Sequence, residues 1–172
     1  MKITNIKQQL KQTNRYSVFV DEKYSFSLSE TALLKSGIAS GHELTAKQVN
    51  DFKQLSTDDK MYNQALRYVA MRPRSIWEIR SYLARKQAPE ALVDQIIERL
   101  LDLQLLDDGK YAVSFIHDRQ LLRPTSKRKL ILELKKKHVA DVYIQAAIEH
   151  NELNETISLE QVISKKRRQS QY

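Results

Sequence analysis

The feature that most constrains this chain is that it repeats itself. Arg72-Pro73-Arg74-Ser75 returns 51 residues later as Arg123-Pro124-Thr125-Ser126. At the same offset Ile79 meets Leu130, Leu83 meets Leu134, Lys86 meets Lys137 and Ile97 meets Ile148. Asp58-Asp59-Lys60-Met61-Tyr62 returns as Asp107-Asp108-Gly109-Lys110-Tyr111. Each unit reads helix, Arg-Pro break, helix, short loop, helix. A period near 50 with three helices per unit means stacked modules, each burying its apolar face against its neighbours. Residues 29–57 resemble the last two helices of a third, degenerate unit.

Capping signals set the helix starts. Ser29 can cap a short helix ending at Gly37. Thr45 with Gln48, Ser75 with Glu78, and Ser158 with Glu160-Gln161 have the form of capping boxes ahead of apolar periods. Pro89 precedes Val93, Ile96, Ile97 and Leu100 at helical spacing. Asp108 is a cap for the segment with Ala112, Phe115 and Ile116. Both acid pairs, Asp58-Asp59 and Asp107-Asp108, read as helix starts, where a carboxylate satisfies orphan amides. No helix should exceed about four turns.

The first 28 residues differ. Tyr16-Ser17-Val18-Phe19-Val20 and Tyr24-Ser25-Phe26-Ser27-Leu28 are strand signals, the second alternating with Tyr24, Phe26 and Leu28 on one face. Asp21-Glu22-Lys23 supplies the turn, and Lys2 to Lys7 adds a third strand. The expected fold is mainly α: tandem three-helix repeats in a modular, elongated array, with a small N-terminal β-hairpin or three-stranded sheet. The expected parts are 1–28 (hairpin element), 29–57 (degenerate module), 58–106 and 107–150 (three-helix modules), and 151–172 (C-terminal helix and basic tail).

Several functions are excluded. The 172 residues contain no cysteine, so disulfides, thiolate zinc sites and cysteine nucleophiles are absent. Three glycines leave neither a dinucleotide fingerprint nor a P-loop. His117-Asp118 and Glu149-His150 are adjacent pairs that diverge on a helix and cannot converge on one ion. No serine has a nucleophile-elbow context. No enzyme, cofactor, metal site or small-molecule substrate is expected. The N-terminus is too polar for a signal peptide and no run approaches a membrane span, so the expectation is a cytoplasmic protein.

Charge carries the functional signal. Lys and Arg number 29 against 21 Asp and Glu, net +8. Residues 118–172 hold 12 basic and 7 acidic side chains. Lys127, Arg128, Lys129, Lys135, Lys136 and Lys137 belong to one expected helix, whose Leu130, Ile131 and Leu134 form a narrow apolar stripe opposite a broad cationic face. Lys165, Lys166, Arg167 and Arg168 form a second cluster. With Arg72, Arg74, Arg80, Arg85, Arg119 and Arg123 they suggest a continuous basic surface for a polyanion or an acidic protein. Trp77, the single tryptophan, lies off the Ile76, Ile79, Leu83 arc. In an array such a residue packs against the next module more often than it stacks on a base.

The segment Arg15 to Leu28 resembles the N-terminal hairpin of RecX regulatory proteins of the Gram-positive type. Ala65-Leu66-Arg67-Tyr68 through Arg72-Pro73-Arg74-Ser75 to Tyr82-Leu83 resembles the family's first full helical module. Leu105-Leu106-Asp107-Asp108-Gly109-Lys110-Tyr111-Ala112 with Phe115 and Arg119 is its most specific stretch, and Glu133-Leu134-Lys135-Lys136-Lys137 matches the next module. The resemblance covers residues 1–150. It implies a modulator that binds RecA–single-stranded DNA filaments, inhibits ATP hydrolysis and strand exchange, and touches DNA weakly and without sequence preference. Two departures stand out. The family has Lys-Gly where this chain has Lys86-Gln87 and Lys137-His138, positions that would cost up to ~1 kcal/mol relative to glycine if left-handed. The chain also ends soon after Ser158 to Gln169, where other members complete a further module. The rival reading is a stand-alone DNA-binding protein, because Ser75 to Leu106 also fits a helix-turn-helix or winged-helix domain.

Overall fold

The computed structural model describes residues 1–122 and 125–151. Three antiparallel strands, β1 (Ile3–Gln8), β2 (Arg15–Val20) and β3 (Lys23–Ser29), form a sheet in that order. Seven helices follow among the described residues: α1 (Glu30–Ser36), α2 (Ala46–Ala70), α3 (Ile76–Arg85), α4 (Glu90–Asp102), α5 (Asp108–Leu122), α6 (Lys127–Lys135) and α7 (Asp141–His150). The protein is thus mainly helical with a small N-terminal sheet. It divides into two compact units, Met1–Leu66 and from Arg67 onward.

In the first unit the hairpin turns through Asp21 (φ 48°) and Glu22 (φ 66°). Two consecutive left-handed residues are what a two-residue type I′ connection requires, here without glycine. Ile3, Val18, Phe26 and Leu28 bury one sheet face, with Val49 beside them and Phe52 stacked on Phe26 (centroids 5.4 Å apart). Tyr24 does not share that face. Val18 pairs with Phe26 but Phe19 with Tyr24, so a bulge at Ser25 puts two residues of β3 against one step of β2. The bulge breaks the alternation, and Tyr24 lies exposed, edge-on to Phe19.

Helix α2 corrects two expectations. It runs for 25 residues, well beyond four turns. No Gly or Pro interrupts Thr45 to Ala70, and the Thr57 hydroxyl bonds back to the Lys53 carbonyl instead of capping a new helix. Asp58-Asp59 therefore sits inside a helix, not at its start. Asp59 has another task. It pairs with the buried Arg15 guanidinium (2.9 Å) and accepts from the Ser29 N–H (2.8 Å) and the Ser29 hydroxyl (2.6 Å). Arg15 also donates to the Ser27 hydroxyl and carbonyl. This network satisfies every buried charge it contains, the condition under which such groups are tolerated.

Among the described residues the remaining start signals act as expected, with one shift. Ser29 caps α1, which ends at left-handed Gly37 (φ 63°). Thr45 and Gln48 exchange capping-box bonds, as do Ser75 and Glu78. At α5 the cap is Asp107, not Asp108: the Asp107 carboxylate accepts from the Lys110 N–H (2.9 Å).

The offset of 51 is real in space. Ile79 and Leu130, and Leu83 and Leu134, are all fully buried, and Ile97 and Ile148 nearly so. The ends of α3 and α6 repeat the same geometry. The Gln87 N–H reaches the Ala84 carbonyl and the Ala88 N–H the Leu83 carbonyl, while His138 and Val139 reach Lys135 and Leu134. These are paired Schellman closures, and Gln87 (φ 59°) and His138 (φ 55°) are left-handed. Gln104 (φ 55°) closes α4 in the same way, onto Leu101 and Leu100.

Candidate partner-binding surface

Among the described residues, the basic candidates singled out from the sequence fall into three groups. The first converges on one acid. Glu78, in the first turn of α3, is buried at 7% exposure. Its carboxylate accepts from both terminal nitrogens of Arg72 (2.9 and 3.3 Å), from Lys137 Nζ (2.8 Å) and from the Ser75 N–H (3.3 Å). Arg74 stands 4.0 Å away, its guanidinium over the Tyr68 ring (3.7 Å), and Tyr68 stacks on Tyr82. Burial pushes the Glu78 carboxyl up. The hydrogen bonds from Arg72 and Lys137, with their positive charge, overrule it and hold the group down at about 2. Beside it burial and the Glu78 charge raise the Tyr111 hydroxyl to about 12.

A second group is paired at the surface. Arg80 bridges to Asp94, Lys135 to Asp141 (3.0 Å), and Arg119 to Glu133 (3.0 Å) with its guanidinium over Phe115. Exposed pairs such as Arg80–Asp94 and Lys135–Asp141 contribute little, about 0–1 kcal/mol each, whereas Arg119 and Glu133 are half-buried.

The third group has no ion pair to any described residue. It holds Arg85 on α3, Lys127, Arg128 and Lys129 on α6, and Lys136 just past its end. The helix stops at Lys135, so Lys136 and Lys137 lie in its closing turn and not on the helix proper. Leu130 and Leu134 form the buried stripe, with Ile131 at its edge. Arg123 and the cluster Lys165, Lys166, Arg167 and Arg168 lie outside the described residues, as does the Ser158 capping signal.

Sequence reading missed two features. The first is Glu78 as a meeting point for cations from distant positions; its capping-box spacing was visible, its second role was not. The second is the use of Asp108. Its carboxylate accepts from the Ile76 N–H (2.9 Å), so it caps the preceding module's helix and not its own. An open cleft of 420 Å³ lies here, lined by Ile76, Leu101, Leu106, Asp107, Asp108 and Tyr143. Both its carboxylates are engaged by backbone amides. Trp77 packs against the neighbouring module, stacked on His138 at 4.9 Å with the rings 11° apart.

A small antiparallel sheet followed by tandem three-helix modules defines the class of modular helical-repeat proteins. Residues 1–45 match the regulatory protein RecX N-terminal domain, residues 62–100 the first three-helix domain of RecX, and residues 107–148 its second three-helix domain. The regulatory protein RecX of Halalkalibacterium halodurans is 32% identical over 150 residues, covering 85% of this chain and 56% of the relative. That of Listeria innocua is 29% identical over 160 residues, covering 86% and 60%. A crystal structure of regulatory protein RecX superposes with a TM-score of 0.74 at 28% identity, covering 87% of this chain and 73% of that one. RecX from Lactobacillus salivarius superposes with a TM-score of 0.57 at 25% identity, covering 67% and 76%. The chain belongs to the RecX family of regulatory proteins. The match spans between 42% and 60% of the length of these curated relatives. No helix among the described residues is long and apolar enough to cross a membrane.

Proposed function

We propose that this chain binds filaments of RecA on single-stranded DNA and restrains their ATP hydrolysis and strand exchange. Family membership supports the regulatory role. The observation that carries the contact surface is the set of cations on α6 and its closing turn, Lys127, Arg128, Lys129 and Lys136, which pair with no described carboxylate while Leu130 and Leu134 anchor the helix. Such a face meets DNA phosphates and acidic protein surface by charge, without reading bases. Arg85 extends it. The mechanism is steric and electrostatic: a module bridging neighbouring protomers resists the movements that ATP turnover needs. No catalytic group enters this reading, and the cytoplasm is where it places the protein.

The test is RecA ATPase on single-stranded DNA, titrated with this protein. Turnover should fall as the protein approaches the concentration of filament sites. Unchanged turnover, together with preference for one duplex sequence by a factor of 10³ or more, would favour a stand-alone DNA reader instead.

A further inference from the structure

Four consecutive residues at the start of α3 each touch the second three-helix module. The Ser75 hydroxyl donates to the Lys137 carbonyl (3.1 Å). The Ile76 N–H donates to Asp108. Trp77 stacks on His138. Glu78 takes the Lys137 ammonium. All of this lies within one compact unit. Three of the four contacts are neutral groups or a carboxylate on an amide. The fourth sets the charge balance of the joint, because Arg72, Arg74 and Lys137 all stand within 4.0 Å of the one Glu78 carboxylate.

We infer that Glu78 is a charge lock that holds the two three-helix modules together as one body. Arg72 and Arg74 come from its own module and Lys137 from the next. With Glu78 ionised, the three cations are drawn to a common point. With Glu78 neutral they repel one another, and Arg74, whose side chain is only 9% exposed, loses its carboxylate. Removing one partner of a buried ionic cluster costs more than the cluster gains, because the other charges stay behind unpaired. Only Lys137 can leave without unfolding the first module, and it carries the second module with it. The lock therefore opens at the joint and not inside either helix group. It also engages Arg72 and Lys137, whose side chains stay 47% and 32% exposed, while Arg85 and the cations of α6 and its closing turn have no ion pair to any described residue.

Trp77 is the single tryptophan and sits on the joint, so its fluorescence reports on the lock directly. Glu78→Gln keeps a side chain that the capping box accepts and removes the charge together with one of the two acceptor oxygens. Lys137→Met removes only the cation from the other module. Lys135→Met, on the same module but paired outward to Asp141, is the control. Glu78→Gln should shift Trp77 emission to the red and raise its quenching by acrylamide, while far-ultraviolet circular dichroism keeps its helical signal. Lys137→Met should do the same to a smaller degree, and Lys135→Met should do neither. Should Glu78→Gln fail to fold, Lys137→Met decides alone. If Lys137→Met leaves Trp77 emission and quenching at wild-type values, the lock does not exist, and Glu78 serves only its own module.

Discussion

The carboxylate of Asp108, the first residue of α5, accepts the backbone N–H of Ile76, the first residue of α3, at 2.9 Å. The two acids of the Leu-Asp-Asp stretch thus divide their work. Asp107 caps the helix it precedes, and Asp108 caps a helix of the module before. Burial raises the Asp108 carboxyl above its usual value, the backbone bond from Ile76 opposing the rise.

Asp108→Ala should therefore lower stability by about 1 kcal/mol, the worth of a helix cap. Asp108→Asn should stay within about 0.5 kcal/mol, because the amide oxygen can accept the same bond without a buried charge. Denaturant unfolding gives the energies. Amide hydrogen exchange gives the location: the Ile76 N–H should lose protection in Asp108→Ala but not in Asp107→Ala.

Glu78 sets an acid limit on stability. Its folded value near 2 lies below the unfolded value, so its contribution is complete above about pH 4.3 and is lost as pH falls toward 2. The full loss is of the order of 3 kcal/mol. Arg72, Arg74 and Lys137 face the group, and Tyr111, raised to about 12, stays neutral through this range. Asp108 is raised, so its protonation works in the opposite direction. The difference between wild type and Glu78→Gln isolates the Glu78 part. It should shrink steadily between about pH 4.3 and pH 2 in melting experiments. A difference independent of pH would contradict the assignment.

The repeat makes a matched pair of predictions. Leu83→Ala and Leu134→Ala should each cost about 2–5 kcal/mol, since both side chains are fully buried at equivalent points of successive modules. Denaturation midpoints at constant slope would check this. A cost near zero at either position would mean that its module relaxes freely around the missing side chain.

Among the described residues, three helix ends hold left-handed residues other than glycine. Gln87→Gly should stabilise the protein by up to about 1 kcal/mol, because it removes the strain of a Cβ at positive φ. His138→Gly should gain less, since it also removes the ring stacked on Trp77. Thermal unfolding of the two variants should rank them in that order.

What could be read from the sequence was what is local or periodic. Ser75 and Glu78 are three residues apart, and a helix start leaves few uses for that spacing. Leu83 and Leu134 share a phase as well as an offset. The turn at Asp21-Glu22 was visible, but its I′ geometry was not, because glycine, the residue that usually announces it, is missing. The alternation of Tyr24 with Phe26 was plain in the sequence. A bulge overrode it, and that depended on register against β2. Long-range polar partners were invisible. Arg15 and Asp59 are 44 positions apart, and Lys137 and Glu78 are 59 apart. Composition counts Arg72 and Lys137 as surface charge because it cannot know that one carboxylate has already claimed them. The length of α2 was missed for a related reason. Asp58-Asp59 looked like its repeat-mate Asp107-Asp108, but no breaker precedes it, and a tertiary ion pair uses the acid inside the helix.

The central claim is that the α6 face works against a polyanionic filament. Lys127, Arg128, Lys129 and Lys136 can be replaced together by Gln without touching the Leu130 and Leu134 stripe. Arg128, Lys129 and Lys136 are exposed and Lys127 is half-buried, and exposed changes usually stay within about 0.5 kcal/mol each. The decisive measurement is inhibition of RecA ATPase on single-stranded DNA by this quadruple variant, beside the wild type. Inhibition should weaken by far more than any fall in stability explains. The remaining binding should be less sensitive to salt, by about 0.7 in log–log slope for each phosphate the variant no longer neutralises. Inhibition at the wild-type level, by a variant that is fully folded, would contradict the claim.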